Sequence, residues 1–262
     1  MMLPGEESAL SRPEYESLLV MGNHLINFAL ALTSKSEVRL KEQELGYVGV
    51  VLGLYAKSVK TYRAIHLLCV HGLCEDAEIL LRTLVEILAN IKYLTMEDRE
   101  DRARQYLDFT VIQDQKLINA TEHNPKLKGM FPDEVKAIVR DRIEGAEARI
   151  SGEEFKRRYE ASTWHGSRIE QAMREVGMQV AYDLPFRQGS RAAHATDLFD
   201  HFEWTPTHGF VLKLIPGDKW ANPVLSASNL LFVEILKELN VVGNFGEDEG
   251  IRRLFEEIVK NQ

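Results

Sequence analysis

The sequence predicts an all-α protein, a single multi-helix bundle carrying one short β-like hairpin near residues 208–216. Apolar residues recur three and four apart through residues 13–34, 44–73, 75–97, 99–123, 133–150, 153–161, 168–176 and 224–241, the period of a helix with one buried face. The stretch "ILLRTLVEILANIKYL", residues 79 to 94, is apolar nearly all round, as expected of a central helix wrapped by others. Only residues 204 to 223 break the pattern, where Pro and Gly bracket the alternating "FVLKLI"; that alternation is the hairpin signal.

The helix ends are marked in turn. Gly72, Gly152, Gly177 and Gly243 follow helical runs as stop candidates, and Ser151 with Glu154 and Ser167 with Glu170 have capping-box spacing. No internal repeat and no low-complexity linker separates these elements, so residues 1–262 are expected to form one helical domain.

Composition narrows the function classes. Apolar residues make up 45% of the chain, and 40 acidic against 32 basic residues leave a net charge of -8, which disfavours general DNA binding because phosphate contacts need a concentrated basic footprint. Residues 134 to 175 carry as many acidic as basic side chains and read as a solvated helix surface. Cys69 and Cys74 are too few for a disulfide framework and poorly spaced for a bridge. The start, "MMLPGEESAL", lacks a basic stretch followed by an apolar core, and "YVGVVLGLYA" is far shorter than a membrane span. A cytoplasmic protein without membrane partners is expected. A Gly-rich phosphate loop, a nucleophile elbow, a dinucleotide fingerprint and a His-Glu-x-x-His helix are absent from the sequence.

Two groups of residues hold candidate chemistry. Arg82 and Glu86 interrupt the apolar helix at i and i+4, where side chains meet, and a buried charge there must be paired. They are expected as a buried ion pair, either fixing helix packing or supporting a site from the polar core. The second group is the run "PFRQGSRAAHATDLFDH", residues 185 to 201, which gathers Arg187, Ser190, Arg191, His194, Asp197 and His201. His194, Asp197 and His201 would share a helix face as metal ligands. No second ligand cluster accompanies them in the sequence, so no metal and no cofactor are expected. Trp164 and Trp204 are expected as core or interface anchors; His66 and His71, at i and i+5, do not share a face.

The series "LLRTLVEILANIKYL", "DRARQYLDF", "WHGSRIEQAMREVG", "YDLPFRQGSRAAH" and "GFVLKLIPGD" resembles the bacterial helical domain of unknown function family 5677 over roughly residues 50 to 240. The elements that match are Arg82, Glu86, Trp164, Tyr182, Ser190 and His194. The chain is more loosely similar to the HEPN superfamily of helical bundles, whose ribonuclease members carry an Arg, four to six residues, then a His; Arg187 and His194 fit with six between them, and Arg158 and His165 repeat the spacing. That second resemblance implies metal-independent RNA cleavage. His194 would be the proton-moving group and Arg187 the phosphate stabiliser, with Ser190 and Tyr182 in support. It implies RNA as a partner, a stress or defence setting, and a homodimer whose two copies share the site. A non-catalytic helical binding or scaffold module is the alternative, and a metal-dependent helical-bundle enzyme the third.

Overall fold

The computed structural model describes residues 15–35, 46–160, 163–213 and 219–260. Its element order is α1 (Glu16–Lys35), α2 (Tyr47–Val70), α3 (Cys74–Thr95), α4 (Arg99–His123), α5 (Asp133–Glu147), α6 (Gly152–Glu160), α7 (Ile169–Glu175), α8 (Gln179–Ala181), a π-helical turn (Tyr182–Phe186), α9 (Arg187–Ala193), a 3-10 turn (Leu198–His201), β1 (Phe202–Thr205), β2 (Gly209–Leu212), α10 (Ala221–Gly243) and α11 (Asp248–Lys260). The protein is predominantly α-helical, and its two strands form one antiparallel hairpin. No helix among the described residues is long and apolar enough to cross a membrane.

The centre is built by α2, α3 and α10, with α1 laid against α10 and α2. Tyr62 stacks on Phe232 with ring centroids 4.1 Å apart. Its hydroxyl donates to Asn229 Oδ1 at 2.5 Å, and the Asn229 amide donates to the Leu18 carbonyl at 3.2 Å. Helices α1, α2 and α10 are thereby tied by buried polar atoms that each have a partner, the condition under which such atoms do not penalise a core. A smaller cluster of Ile112, Ile118, Val139 and Ile143 joins the far half of α4 to α5. Beside it the buried Asp108 carboxylate receives Arg149 at 2.6 Å and Arg158 at 3.3 Å.

The expected stops hold at Gly72 and Gly177, whose φ of 74° lies where glycine alone is unstrained; Leu73 N–H then closes onto the Leu68 carbonyl at 2.8 Å and Met178 N–H onto Met173 at 2.7 Å. Ser151 Oγ accepts the Glu154 N–H at 3.2 Å, as the capping box requires. Ser167 does not cap α7, because its hydroxyl lies on His165 Nδ1. Gly152 begins α6, and Asn244 rather than Gly243 takes the left-handed turn after α10. The α2–α3 turn also brings the buried, unbridged thiols of Cys69 and Cys74 into hydrogen-bond contact, closer than their spacing promised.

The hairpin starts earlier than expected. Trp204 pairs with Phe210 and Phe202 with Leu212, while residues 214–216 of the expected hairpin lie outside the described residues. Trp204 is 64% exposed, so it is no core anchor.

Pro185 sits inside the helical segment that runs from Gln179 to Ala193. Proline offers no N–H to the ladder and its ring crowds the preceding turn. The backbone answers with a π-helical turn, in which Arg187 N–H reaches the Tyr182 carbonyl five residues back. Directly after it, α9 meets α3 at Gly189, where an added Cβ would lie 2.3 Å from the Glu78 carbonyl oxygen and 2.8 Å from Arg82 Cβ. Only a glycine admits this approach. Gly189→Ala is expected to lower stability by about 3 kcal/mol, the scale of overpacking a closed contact, as read by chemical denaturation; a loss below about 1 kcal/mol would show that the two helices part without cost.

Next to that crossing, the buried Glu78 carboxylate accepts a hydrogen bond from Gln188 at 3.2 Å. Burial lifts its pKa from 4.5 to about 7, with Gln188 opposing and Asp200, Glu75 and Asp197 adding to the rise. The folded protein therefore holds a proton that the unfolded chain gives up. This penalty is absent below about pH 4.5 and grows as the pH rises toward 7. Glu78→Gln should accordingly match the native protein at pH 5 and exceed it by about 2 kcal/mol at pH 8. An identical difference at both pH values in thermal melts would contradict the assignment.

Candidate functional site

A cleft of about 650 Å³ opens where α3, α4, the start of α7, the loop before it and the π-helical turn meet. It lies in the size range of small-molecule sites. Arg82, Glu86 and Asn90, at i, i+4 and i+8 on α3, form its floor. Tyr106 and Phe109 come from α4, Trp164, His165 and Arg168 from the loop before α7, and Tyr182 from the π-helical turn.

Arg82 Nη2 lies 3.2 Å from Glu86 Oε1, so the expected pair forms. It is not buried: the side chains are 29% and 35% exposed, and both face the cleft. The helix is apolar almost all round because it is covered on the other sides, whereas this strip borders open space. Arg82 is held on its other flank by Phe186, whose ring centroid is 5.0 Å from the guanidinium carbon. Its Nε is buried and has no hydrogen-bond partner. Burial raises the Glu86 carboxyl above the ordinary carboxylate range, with the charges of Arg82 and Lys57 opposing.

Trp164 is only 8% exposed. Its indole N–H donates to Asn90 Oδ1 at 2.8 Å, and its ring sits edge-on to Tyr93 and Tyr106, each 5.4 Å away between centroids. The expectation of an anchoring tryptophan holds here. The neighbouring His165 is depressed below the usual histidine range, first by burial and then by Arg102, with Glu175 opposing. Its Nδ1 accepts the Ser167 N–H at 3.3 Å and lies 2.7 Å from Ser167 Oγ. A neutral ring accepting at Nδ1 carries its proton on Nε2. Tyr182 O–H donates to Glu170 Oε2 at 3.5 Å, and Glu170 is also paired with Arg174 at 3.1 Å.

The remaining residues singled out in the sequence lie away from this cleft. Arg187 and His194 are exposed, the latter at the C-terminal cap of α9. Ser190 Oγ–H donates to the Phe186 carbonyl at 2.8 Å, an internal helix bond. Of the sequence-predicted site residues the cleft therefore gathers Arg82, Glu86 and Tyr182, and not Arg187, Ser190 or His194. Of the three residues weighed as metal ligands, His201 places Nε2 3.6 Å from Asp197 Oδ2, and its Nδ1 lies 3.9 Å from Glu75 Oε2. No group of three or more His, Cys, Asp or Glu among the described residues is arranged to hold a metal. Asn90, Tyr106, His165 and Arg168 are cleft residues that sequence reasoning did not single out as site residues. Asn90 was findable, being one further turn along the Arg82–Glu86 face.

A second, smaller cleft of about 330 Å³ lies between α10 and α11. Its polar groups satisfy one another: Asn240 donates to Asp248 at 3.0 Å, and Arg252 is held by Glu249 and Glu256. Such a cleft offers a ligand few free partners.

Fold and cleft together define a helical protein with a large polar opening walled by residues distant in sequence. The chain belongs to the family of unknown function DUF5677, whose profile matches residues 48–208. That span contains the whole lining of the large cleft. Neither a curated protein nor a solved structure matches the chain.

Proposed function

We propose that the protein is a helical ligand-binding module whose site is the cleft between α3, α4, the pre-α7 loop and the π-helical turn. One observation carries this reading. Arg82, Glu86, Trp164 and Tyr182, drawn from three separate stretches of sequence, meet in the same opening. Packing alone would have closed the space; instead an ion pair is kept at its floor, partly open to solvent. Binding a ligand only in the folded state raises stability, by about 2.7 kcal/mol at a hundredfold excess over Kd. A melting screen of small metabolite-like compounds is thus expected to yield stabilisers. Their affinity should fall at least tenfold in Tyr182→Ala and stay unchanged in Leu184→Ala, which alters an exposed side chain of the same π-helical turn. A broad screen without stabilisers, or stabilisers indifferent to Tyr182→Ala, contradicts the reading.

A second reading, metal-independent RNA cleavage by a homodimer, is favoured by a different observation. Arg187 and His194 lie seven residues apart, so they share one side of α9, and both side chains are exposed without a hydrogen bond to any described residue. Groups that must meet a substrate have that freedom. In this reading His194→Asn melts like the native protein but loses RNA cleavage by about a hundredfold, Arg187→Ala loses it as well, and EDTA leaves native cleavage intact. Native protein that cleaves no RNA across a broad panel of substrates rejects it.

A further inference from the structure

The ligand class can be read from which polar groups in the large cleft are already satisfied, an inference that rests on the binding reading above. Three of its charges are compensated: Arg82 and Glu86 neutralise each other, and Glu170 is held by Arg174 and Tyr182. The guanidinium of Arg168, exposed at the N-terminal cap of α7, has no ion-pair or hydrogen-bond partner among the described residues. One positive charge is therefore left over at the rim, and a guanidinium is well matched to phosphate or carboxylate oxygens.

The neutral groups are also unequal. The Asn90 amide spends its oxygen on Trp164 and keeps its NH2 free. His165, fixed at Nδ1 by Ser167, keeps an Nε2–H donor. The Tyr106 hydroxyl has no partner among the described residues. Against these donors stands a charged acceptor on the floor, the carboxylate oxygen of Glu86 that lies outside the Arg82 contact. The walls between them are rings and an aliphatic chain: Tyr106, Phe109, Tyr182 and Ile169. A complementary ligand must be anionic at one end and planar, must carry several acceptors, and must offer a ring N–H to a carboxylate.

We infer that the cleft takes a nucleoside monophosphate whose base is of the lactam type, guanine or uracil. Ring acceptors of such a base, the two carbonyls of uracil or O6 and N7 of guanine, take hydrogen bonds from Asn90 and His165 while its ring N–H donates to Glu86, and the phosphate is left for Arg168. Adenine and cytosine present an unprotonated ring nitrogen at the corresponding position. Opposite Glu86 that sets lone pair against carboxylate, and a site built for a donor rejects ligands lacking one strongly.

Isothermal titration of the intact chain with GMP, UMP, AMP, CMP, guanosine, inorganic phosphate and benzoate tests this. GMP or UMP is expected to bind at least tenfold more tightly than AMP and CMP. Arg168→Ala should weaken the preferred monophosphate tenfold or more while leaving guanosine unchanged. Glu86→Gln should erase the preference between lactam and amino bases. Both variants alter partly exposed side chains, and their melting curves verify that they fold. Equal binding of all four nucleotides, binding of none, or a preference that survives Glu86→Gln overturns the inference. Benzoate or phosphate binding that is lost in Tyr182→Ala, with nucleotides inert, overturns the nucleotide class yet leaves the cleft as a site; indifference of every bound compound to Tyr182→Ala removes the site itself.

Discussion

The approach of α9 to α3 at Gly189 is the contact on which the arrangement of the cleft depends. With no side chain at this position, the helices close until the α9 backbone touches the Glu78 carbonyl and the base of Arg82. Everything N-terminal to it in the same helical segment is positioned by that contact. Phe186, one turn before, lands against the Arg82 guanidinium, and Tyr182, one turn earlier again, stacks on Phe186 at 5.3 Å between centroids and reaches the cleft wall. The π-helical turn forced by Pro185 adds one residue to the ladder there, which rotates Tyr182 relative to a regular helix. A backbone constraint at one residue and a missing N–H at another thus decide where an aromatic wall stands.

From the other side the cleft is fixed by Trp164. The loop before α7 has no regular structure of its own, yet its indole is buried, hydrogen-bonded to Asn90 and flanked by Tyr93 and Tyr106. Aromatic edge contacts and one satisfied donor hold such a loop as firmly as a short helix would. Arg82 and Glu86 then fill the floor with opposite charges at 3.2 Å. Partial solvent access limits what this pair adds to stability, since ion pairs open to water contribute at most about 1 kcal/mol. The pair is better understood as a polar surface kept open than as a clamp on the helices.

Most of the helices were legible because their apolar spacing is long and regular: α2, α3, α4 and α10 each begin and end within a few residues of where periodicity places them. One element was missed and one misplaced. In α11, Ile251, Leu254, Phe255 and Ile258 show helical spacing, but the run is short and crowded with charge. Residues 185–201 read as helical turns with His194, Asp197 and His201 on one face, whereas the helical segment runs from Gln179 to Ala193 and stops before those three; Pro185 and Gly189, residues that ordinarily end helices, here bend and seat it. The site was legible only in part. Spacing alone pairs Arg82 with Glu86; it says nothing about a loop 74 residues from Asn90, so the meeting of Trp164 with Asn90 had no local signal. The same limit explains the misjudged burial of the ion pair, for an all-round apolar pattern does not reveal that one strip of a central helix borders a cleft.

Two regions now compete for chemistry, the enclosed cleft and the exposed side of α9 that carries Arg187 and His194. They differ in what a ligand would touch, and the tryptophans report on it. A proton–nitrogen correlation spectrum of the intact chain contains three indole signals, from Trp164, Trp204 and Trp220. Only the first arises from a buried indole bonded within the cleft wall. On titration with GMP or UMP to millimolar concentration, the Trp164 signal is expected to shift while that of the exposed Trp204 stays in place. A Trp164 signal unmoved by either nucleotide, with Trp204 shifting or all three unchanged, would contradict it.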